Sequence, residues 1–201
     1  MLFNKLNFEV VKFCVNNESK PEISGVFFLP DKTVATDTFR LVEISTDAAV
    51  KVDDFPILPN KKTAMKSFKP FIISRKAVME VAKMNPGNSK TLPILNYTAV
   101  SFVDDKTVEF INTDLETGDA KVCQKVDGKF PDYEMLFIKD APVAEVEVNG
   151  NYMAEILTTL AKFNLLQSVK IKFYGKDKPV LFETSNENQK ARAALMPLRN
   201  V

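Results

Sequence analysis

No histidine occurs among the 201 residues, which removes the side chain most used as general base and metal ligand. Carboxylates and thiols are left to carry any chemistry. The carboxylate groupings are Asp53-Asp54, Asp104-Asp105 and the spaced pair Asp114 and Glu116. A two-metal site needs such groups to converge with supporting ligands. Each of these instead sits in a stretch of turn-forming residues, where a carboxylate hydrogen-bonds its own backbone. Cys14 and Cys123 are the only cysteines, and without histidine a Cys-His nucleophile is ruled out. Gly118 and Gly128 stand in no phosphate-cradling pattern. The expectation is a protein with no catalytic residues, no metal and no cofactor.

Bulk charge gives no address. There are 27 basic and 26 acidic residues, so contact with nucleic acid would have to come from local segregation of charge. Two cysteines, no signal-peptide pattern at the start and no run of about 18 apolar residues predict a soluble, cytoplasmic protein without a membrane span. A chain of this length can bury a core without cross-links.

The elements that must position any site read as a degenerate repeat of an amphipathic helix followed by alternating strands, three times over, with a period of about 60 residues. In the first repeat, Leu6, Val10 and Phe13 predict a helix over 3–15, stopped before Pro21, with strands over 25–29, 33–35 and 40–45. The stretch 50–70, with Pro56, Pro59 and Pro70, reads as a long connection. The second repeat opens on a short strand, Phe71-Ile72-Ile73. Ser74 then caps a helix through Arg75, Val78, Val81 and Ala82 to Met84, which Pro86-Gly87 stops. Strands over 96–103, 107–112 and 118–126 complete it, with Asp104-Asp105-Lys106 as a hairpin turn. The third repeat has a strand over 143–148 and Asn149 or Asn151 as cap of a helix bearing Tyr152, Ile156, Leu160 and Phe163. Strands over 168–174, 179–184 and 190–197 follow.

Three segments carry a family resemblance. Val34-Ala35-Thr36-Asp37-Thr38-Phe39-Arg40-Leu41 resembles the Val-Ala-Thr-Asp-Gly-His-Arg-Leu signature of the bacterial sliding clamp, the DNA polymerase III beta subunit. Asp127-Gly128-Lys129-Phe130-Pro131-Asp132-Tyr133-Glu134 is similar to the segment that closes that family's middle domain. Ala194-Leu195-Met196-Pro197-Leu198-Arg199 resembles its terminal Val-Val-Met-Pro-Met-Arg-Leu. Where the family has Gly-His, this chain has Thr38-Phe39, and threonine resists a backbone angle that glycine permits.

The resemblance implies an α+β DNA-clamp fold, repeated units of one helix plus antiparallel strands with helices on one face of curved sheets. Residues 1–135 would form a domain like the family's middle domain without its leading strand, and 136–201 half of a last domain. It implies a peptide groove with Thr36, Thr38, Phe39, Arg40 and Leu41 on one wall and Leu195, Met196, Pro197, Leu198 and Arg199 on the other. Read as residues alone, Leu41, Leu195 and Met196 also suit a strand core, and Arg40 could pair with Asp37. Phe130 and Tyr133 read as a buried aromatic pair.

In clamps, helices line a central hole and offer basic residues to phosphate without reading sequence. The corresponding candidates are Lys5, Lys12, Arg75, Lys76, Lys83 and Lys162, although lysines on a polar helix face are ordinarily only solvated. The function implied is a non-enzymatic processivity factor: a homo-oligomeric ring around duplex DNA that tethers a polymerase and meets a clamp loader through linear peptides. The alternative is a clamp-derived adaptor that binds such peptides without encircling DNA.

Overall fold

The computed structural model describes residues 1–17, 19–47, 50–56, 68–84, 89–138 and 140–198. Pro59, Pro86-Gly87 and Arg199 lie outside them. The chain divides into two compact units, Met1–Glu134 and Met135–Val201. In the first, strand β1 is Leu2–Asn4 and helix α1 is Lys5–Glu9, continued by a 3-10 turn over Val10–Phe13. Strands β2 Gly25–Phe28, β3 Lys32–Thr36 and β4 Leu41–Ser45 follow, then β5 Phe71–Ser74, helix α2 Arg75–Met84, and strands β6 Tyr97–Phe102, β7 Thr107–Thr113 and β8 Gly118–Gln124. The second unit has helix α3 Gly150–Leu160, a 3-10 turn over Ala161–Phe163, and strands β9 Lys170–Lys172, β10 Val180–Ser185 and β11 Lys190–Leu195. This is an α+β fold of repeated helix-plus-antiparallel-strand units.

Each helix starts the same way. A short polar side chain at the end of the preceding segment accepts the first free amides of the helix, groups that have no partner within it. Asn4 Oδ1 accepts from Leu6 N at 3.0 Å and Asn7 N at 3.3 Å, while Asn7 Oδ1 accepts from Asn4 N at 3.1 Å to close a capping box. Ser74 Oγ accepts from Ala77 N at 3.4 Å, and Asn149 Oδ1 accepts from Asn151 N and Tyr152 N at 3.0 and 3.2 Å.

The first two repeats exchange their leading strands. The sheets run β4-β3-β2-β5 and β1-β6-β7-β8, so β5, which leads into α2, closes the sheet of the first repeat, and β1 closes that of the second. Asn4 lies opposite Tyr97 and Ser74 opposite Gly25. At Gly25 a Cβ would stand 2.4 Å from the Ile73 carbonyl oxygen, so only glycine lets β5 approach this closely. One core results, built from both repeats: Phe3, Phe8, Phe28, Phe71 and Phe110 with Ile73, Val78, Val81 and Val100. Phe28 sits at its centre, 5.1 Å from the Phe3 ring and 5.2 Å from that of Phe71. Both cysteines are buried here as free thiols, and burial pushes the Cys14 thiol up to about 12, which disqualifies it as a nucleophile.

Two expectations are corrected. The chain does not begin on a helix at Phe3 and does not lack a leading strand: Leu2–Asn4 is a strand, and the α-helical part is only Lys5–Glu9. Pairing with Tyr97, Thr98 and Ala99, far along the chain, overrides the local helical spacing. Segment 143–148 is not a strand, although its alternation suits one, because none of the described strands pairs with it.

The second unit is a three-stranded antiparallel sheet, β11-β10-β9, with α3 against it. Its buried core residues are Leu160, Val180, Phe182 and Leu195, and Val146, Val148, Met153 and Ile156 pack partly buried around them.

Candidate functional site

The hairpin between β3 and β4 carries the first proposed groove wall. Thr36 ends β3, is buried, and its hydroxyl spans the turn, donating to the Arg40 carbonyl at 2.9 Å and accepting from Thr38 N at 3.1 Å. The Asp37 carboxylate accepts from the amides of Phe39 and Arg40 at 3.1 and 3.0 Å. Thr38 holds φ at 76°, so this turn adopts the left-handed angle even though threonine replaces glycine. The Arg40 guanidinium is engaged twice. Its Nε lies 2.8 Å from Asp37 Oδ2, holding that carboxyl below the usual carboxylate range, and its carbon stands 4.9 Å from the centre of the Phe13 ring. Phe39 projects from the tip at 96% exposure. Leu41 turns to the opposite task, packing half-buried with Val34, Ile72, Phe130 and Tyr133.

The Asp127–Glu134 segment that accompanies it is structural. Phe130 stacks on Phe27 at 4.9 Å, Tyr133 meets Phe130 edge-on at 5.9 Å, and Lys32 ties the segment down through Glu134 and Glu43, each at 3.0 Å. Those two carboxylates, Glu134 first, hold the Lys32 ammonium above its ordinary range.

The other proposed wall lies in the second unit. Leu195 is 7% exposed and belongs to the core with Phe182, whereas Met196 and Leu198 are 57% and 49% exposed on either side of half-buried Pro197. Arg199 is outside the described residues. The two walls therefore belong to different compact units.

The basic candidates differ in what they can offer. Lys5 on α1 and Lys76 and Lys83 on α2 are exposed. Lys12 is exposed but pairs with Glu9, and it sits on the 3-10 turn, so seven-residue spacing from Lys5 no longer keeps one helical flank. Arg75 is half-buried, with an Nε that has no hydrogen-bond partner among the described residues. Lys162 also lies on a 3-10 turn, and the exposed positions of α3 itself include Tyr152 and Glu155 and no basic residue. Among the described residues no group of three or more Cys, Asp or Glu converges to hold a metal ion, and no helix is long and apolar enough to cross a membrane. Asp104 and Asp114, candidates by type, accept from the amides of their own turns.

The second unit holds one feature beyond these candidates. A concavity of about 1270 Å³ is lined by Leu165, Leu166, Ser168, Lys170, Ser185 and Arg192, among others. Leu165 and Leu166 are 101% and 88% exposed. Two adjacent leucines just after a helix, where polar turn residues are the rule, were the available signal.

No protein-family model matches the sequence, and no curated protein does. Solved structures do match. The DNA polymerase III beta sliding clamp of Pseudomonas aeruginosa bound to griselimycin shares 15% identity at a TM-score of 0.71, over 100% of this chain and 50% of that one. The Borrelia burgdorferi beta subunit in complex with a natural product gives 14% and 0.69, over 98% and 48%. The Bacillus subtilis sliding clamp gives 18% and 0.66, over 98% and 48%. At these identities the likeness is one of fold, and the chain spans about half the length of each.

Proposed function

We propose that this protein, built on the fold of a sliding clamp, is a docking module for short apolar peptides of DNA-replication enzymes. The observation that supports this most is the state of Phe39, Met196 and Leu198. They occupy the segments that resemble the clamp's two groove walls, and their apolar side chains are left in solvent instead of being used by a core. Exposed apolar groups with a few polar anchors are what captures a linear peptide, and methionine repacks to accept several sequences. Pro197 fixes the backbone between two such side chains, which lowers the ordering cost of binding. Asp37 preorganises Arg40 through its Nε, and the remaining guanidinium donors, which bond no side chain among the described residues, would meet a peptide carbonyl or carboxylate.

The experiment is fluorescence anisotropy with a labelled clamp-binding peptide from a polymerase. Replacing Met196→Ala together with Leu198→Ala should abolish binding while circular dichroism stays that of the parent. Unchanged affinity would remove the groove assignment.

A second reading extends the first: copies close a ring around duplex DNA and tether the captured polymerase, raising its effective concentration at the template. It is favoured by the fold shared with proteins described as sliding clamps. A clamp loader and a polymerase would then be the partners, both through linear peptides. Retention on nicked circular duplex with loss from linear duplex is its test. Equal loss from both would leave the adaptor reading alone.

A further inference from the structure

We propose that the second unit is completed by the same unit of a second copy of this chain, each copy adding segment 144–149 as a fourth strand to the other's β9 edge. This goes beyond peptide docking and does not depend on it.

The first unit states the rule. In both of its sheets the fourth strand is the leading strand of the neighbouring repeat, paired antiparallel to the first strand of the sheet. In the third repeat the sheet stops at three strands, and among the described residues β9 pairs on one side only, with β10. The repeat also has a leading segment that joins no described sheet, 144–149, ending on the capping residue Asn149 just as β1 ends on Asn4 and β5 on Ser74. Among the described residues, one repeat thus holds both an open acceptor edge and a leading segment that joins no sheet. Two copies satisfy both at once by two-fold symmetry.

The segment is already placed as a donor. Val126 N donates to the Ile72 carbonyl at 2.8 Å, tying β5 to the tail of its own repeat, and Leu198 N donates to the Glu147 carbonyl at 2.8 Å. The two bonds are equivalent, each joining the second residue before a helix cap to the ninth residue counted from the start of the last strand. One edge of the segment is held as in β5, and the other is the edge that β5 gives to β2.

Register and charge then agree. The capping residue lies opposite the residue aligned with the last position before the second hairpin: Asn4 opposite Tyr97, and Ser74 opposite Gly25. In the third sheet Glu183 lies opposite Lys170, so the corresponding residue, two further on, is Ser168 opposite Ser185. Placing Asn149 against Ser168 sets Val148 on Val169, Glu147 on Lys170, Val146 on Ile171 and Glu145 on Lys172. Directly opposed residues share a face. The register therefore puts two carboxylates on two ammonium groups and valines on apolar partners, with Lys172 shared with its present partner Glu183. A one-residue slip in either direction would set both glutamates against apolar residues.

The surface fits a partner of this kind. Most of the large apolar side chains exposed among the described residues lie in this smaller unit, including Ile171, Phe173 and Tyr174 on and beside β9. In the first unit, β5 joins β2 and the helix it leads into, α2, packs on β2. The same path would bring the partner's α3 toward the concavity lined by Leu165, Leu166 and Ser168.

The test is molar mass by light scattering on the whole chain up to tens of micromolar. The expected species has twice the 22.6 kDa chain mass. Glu145→Lys with Glu147→Lys, or Lys170→Glu with Lys172→Glu, should weaken dimerisation by roughly tenfold or more, and all four together should restore it. Oxidising a Val146→Cys, Ile171→Cys variant should give a disulfide-linked dimer on a non-reducing gel, a readout that survives if the charge variants fold poorly. A monomer at every concentration, a dimer indifferent to all charge reversals, or a purely intrachain disulfide would overturn the proposal. Peptide anisotropy on the same samples reports separately on the groove.

Discussion

Asp37 and Asp114 occupy equivalent places in two copies of one turn. Asp114 accepts from the amides of Glu116 and Thr117 at 3.0 and 2.6 Å, as Asp37 does from Phe39 and Arg40. The threonine before each closes the loop, Thr113 Oγ1 donating to the Thr117 carbonyl at 2.7 Å, and the residue after each has positive φ, 76° at Thr38 and 80° at Leu115. Asn186 repeats the amide pattern in the third hairpin, accepting from Asn188 and Gln189 at 2.9 and 2.7 Å. The Thr36-Asp37 pair of the proposed groove wall is therefore turn chemistry first, and Phe39 is what this copy adds.

Acid should loosen both turns. The Arg40 guanidinium chiefly lowers the Asp37 carboxyl, and the Thr117 amide chiefly lowers that of Asp114. A folded-state value below the unfolded one means stabilisation that is complete above the ordinary carboxylate range and is lost as pH falls through it toward the folded value. Melting temperature followed from about pH 6 to about pH 3 should fall less steeply in the Asp37→Asn, Asp114→Asn variant, which keeps the acceptors but cannot titrate there. Parallel profiles would refute the assignment.

Thr38→Gly should stabilise the protein by about 1 kcal/mol, because the left-handed angle costs a side chain with a Cβ roughly that much and glycine nothing comparable. Chemical denaturation measures it. A destabilised variant would mean that the Thr38 side chain contributes more than its backbone angle costs.

Phe28 and Phe39 should respond in opposite ways. Phe28 is fully buried against four other rings, and Phe28→Ala should cost about 3–5 kcal/mol. Phe39→Ala should change stability by no more than about 0.5 kcal/mol while weakening peptide binding. Denaturation and anisotropy on the same samples decide it.

Among the basic candidates, Lys5, Lys76 and Lys83 are exposed without a partner carboxylate among the ion pairs of the described residues, in contrast to Lys12. If duplex DNA is bound through phosphate, changing these three to Ser should flatten the dependence of log K on log salt by about 0.9 for each phosphate no longer neutralised. Changing Arg75, already half-buried, should have little effect on that slope. An unchanged slope in the triple variant would leave these lysines as solvated surface.

Local pattern determined a good deal here. The caps at Ser74 and Asn149, the helix over Arg75–Met84 and the hairpins around Asp104 and Asp114 follow from short-range hydrogen bonding and apolar spacing, which neighbouring residues settle among themselves. The burial of Phe130 and Tyr133 likewise follows from their type. Tertiary structure decided which short segments become strands. Leu2–Asn4 is one because it pairs with Tyr97, Thr98 and Ala99, and segment 143–148, with the better alternating pattern, is not one because it pairs with none of the described strands. Tertiary structure also divided the residues proposed for the groove, sending Leu41 and Leu195 into cores and leaving Phe39, Met196 and Leu198 exposed. A strand's hydrogen bonds lie outside itself, so its own sequence states only a readiness to pair, while a capped helix carries most of its partners within it.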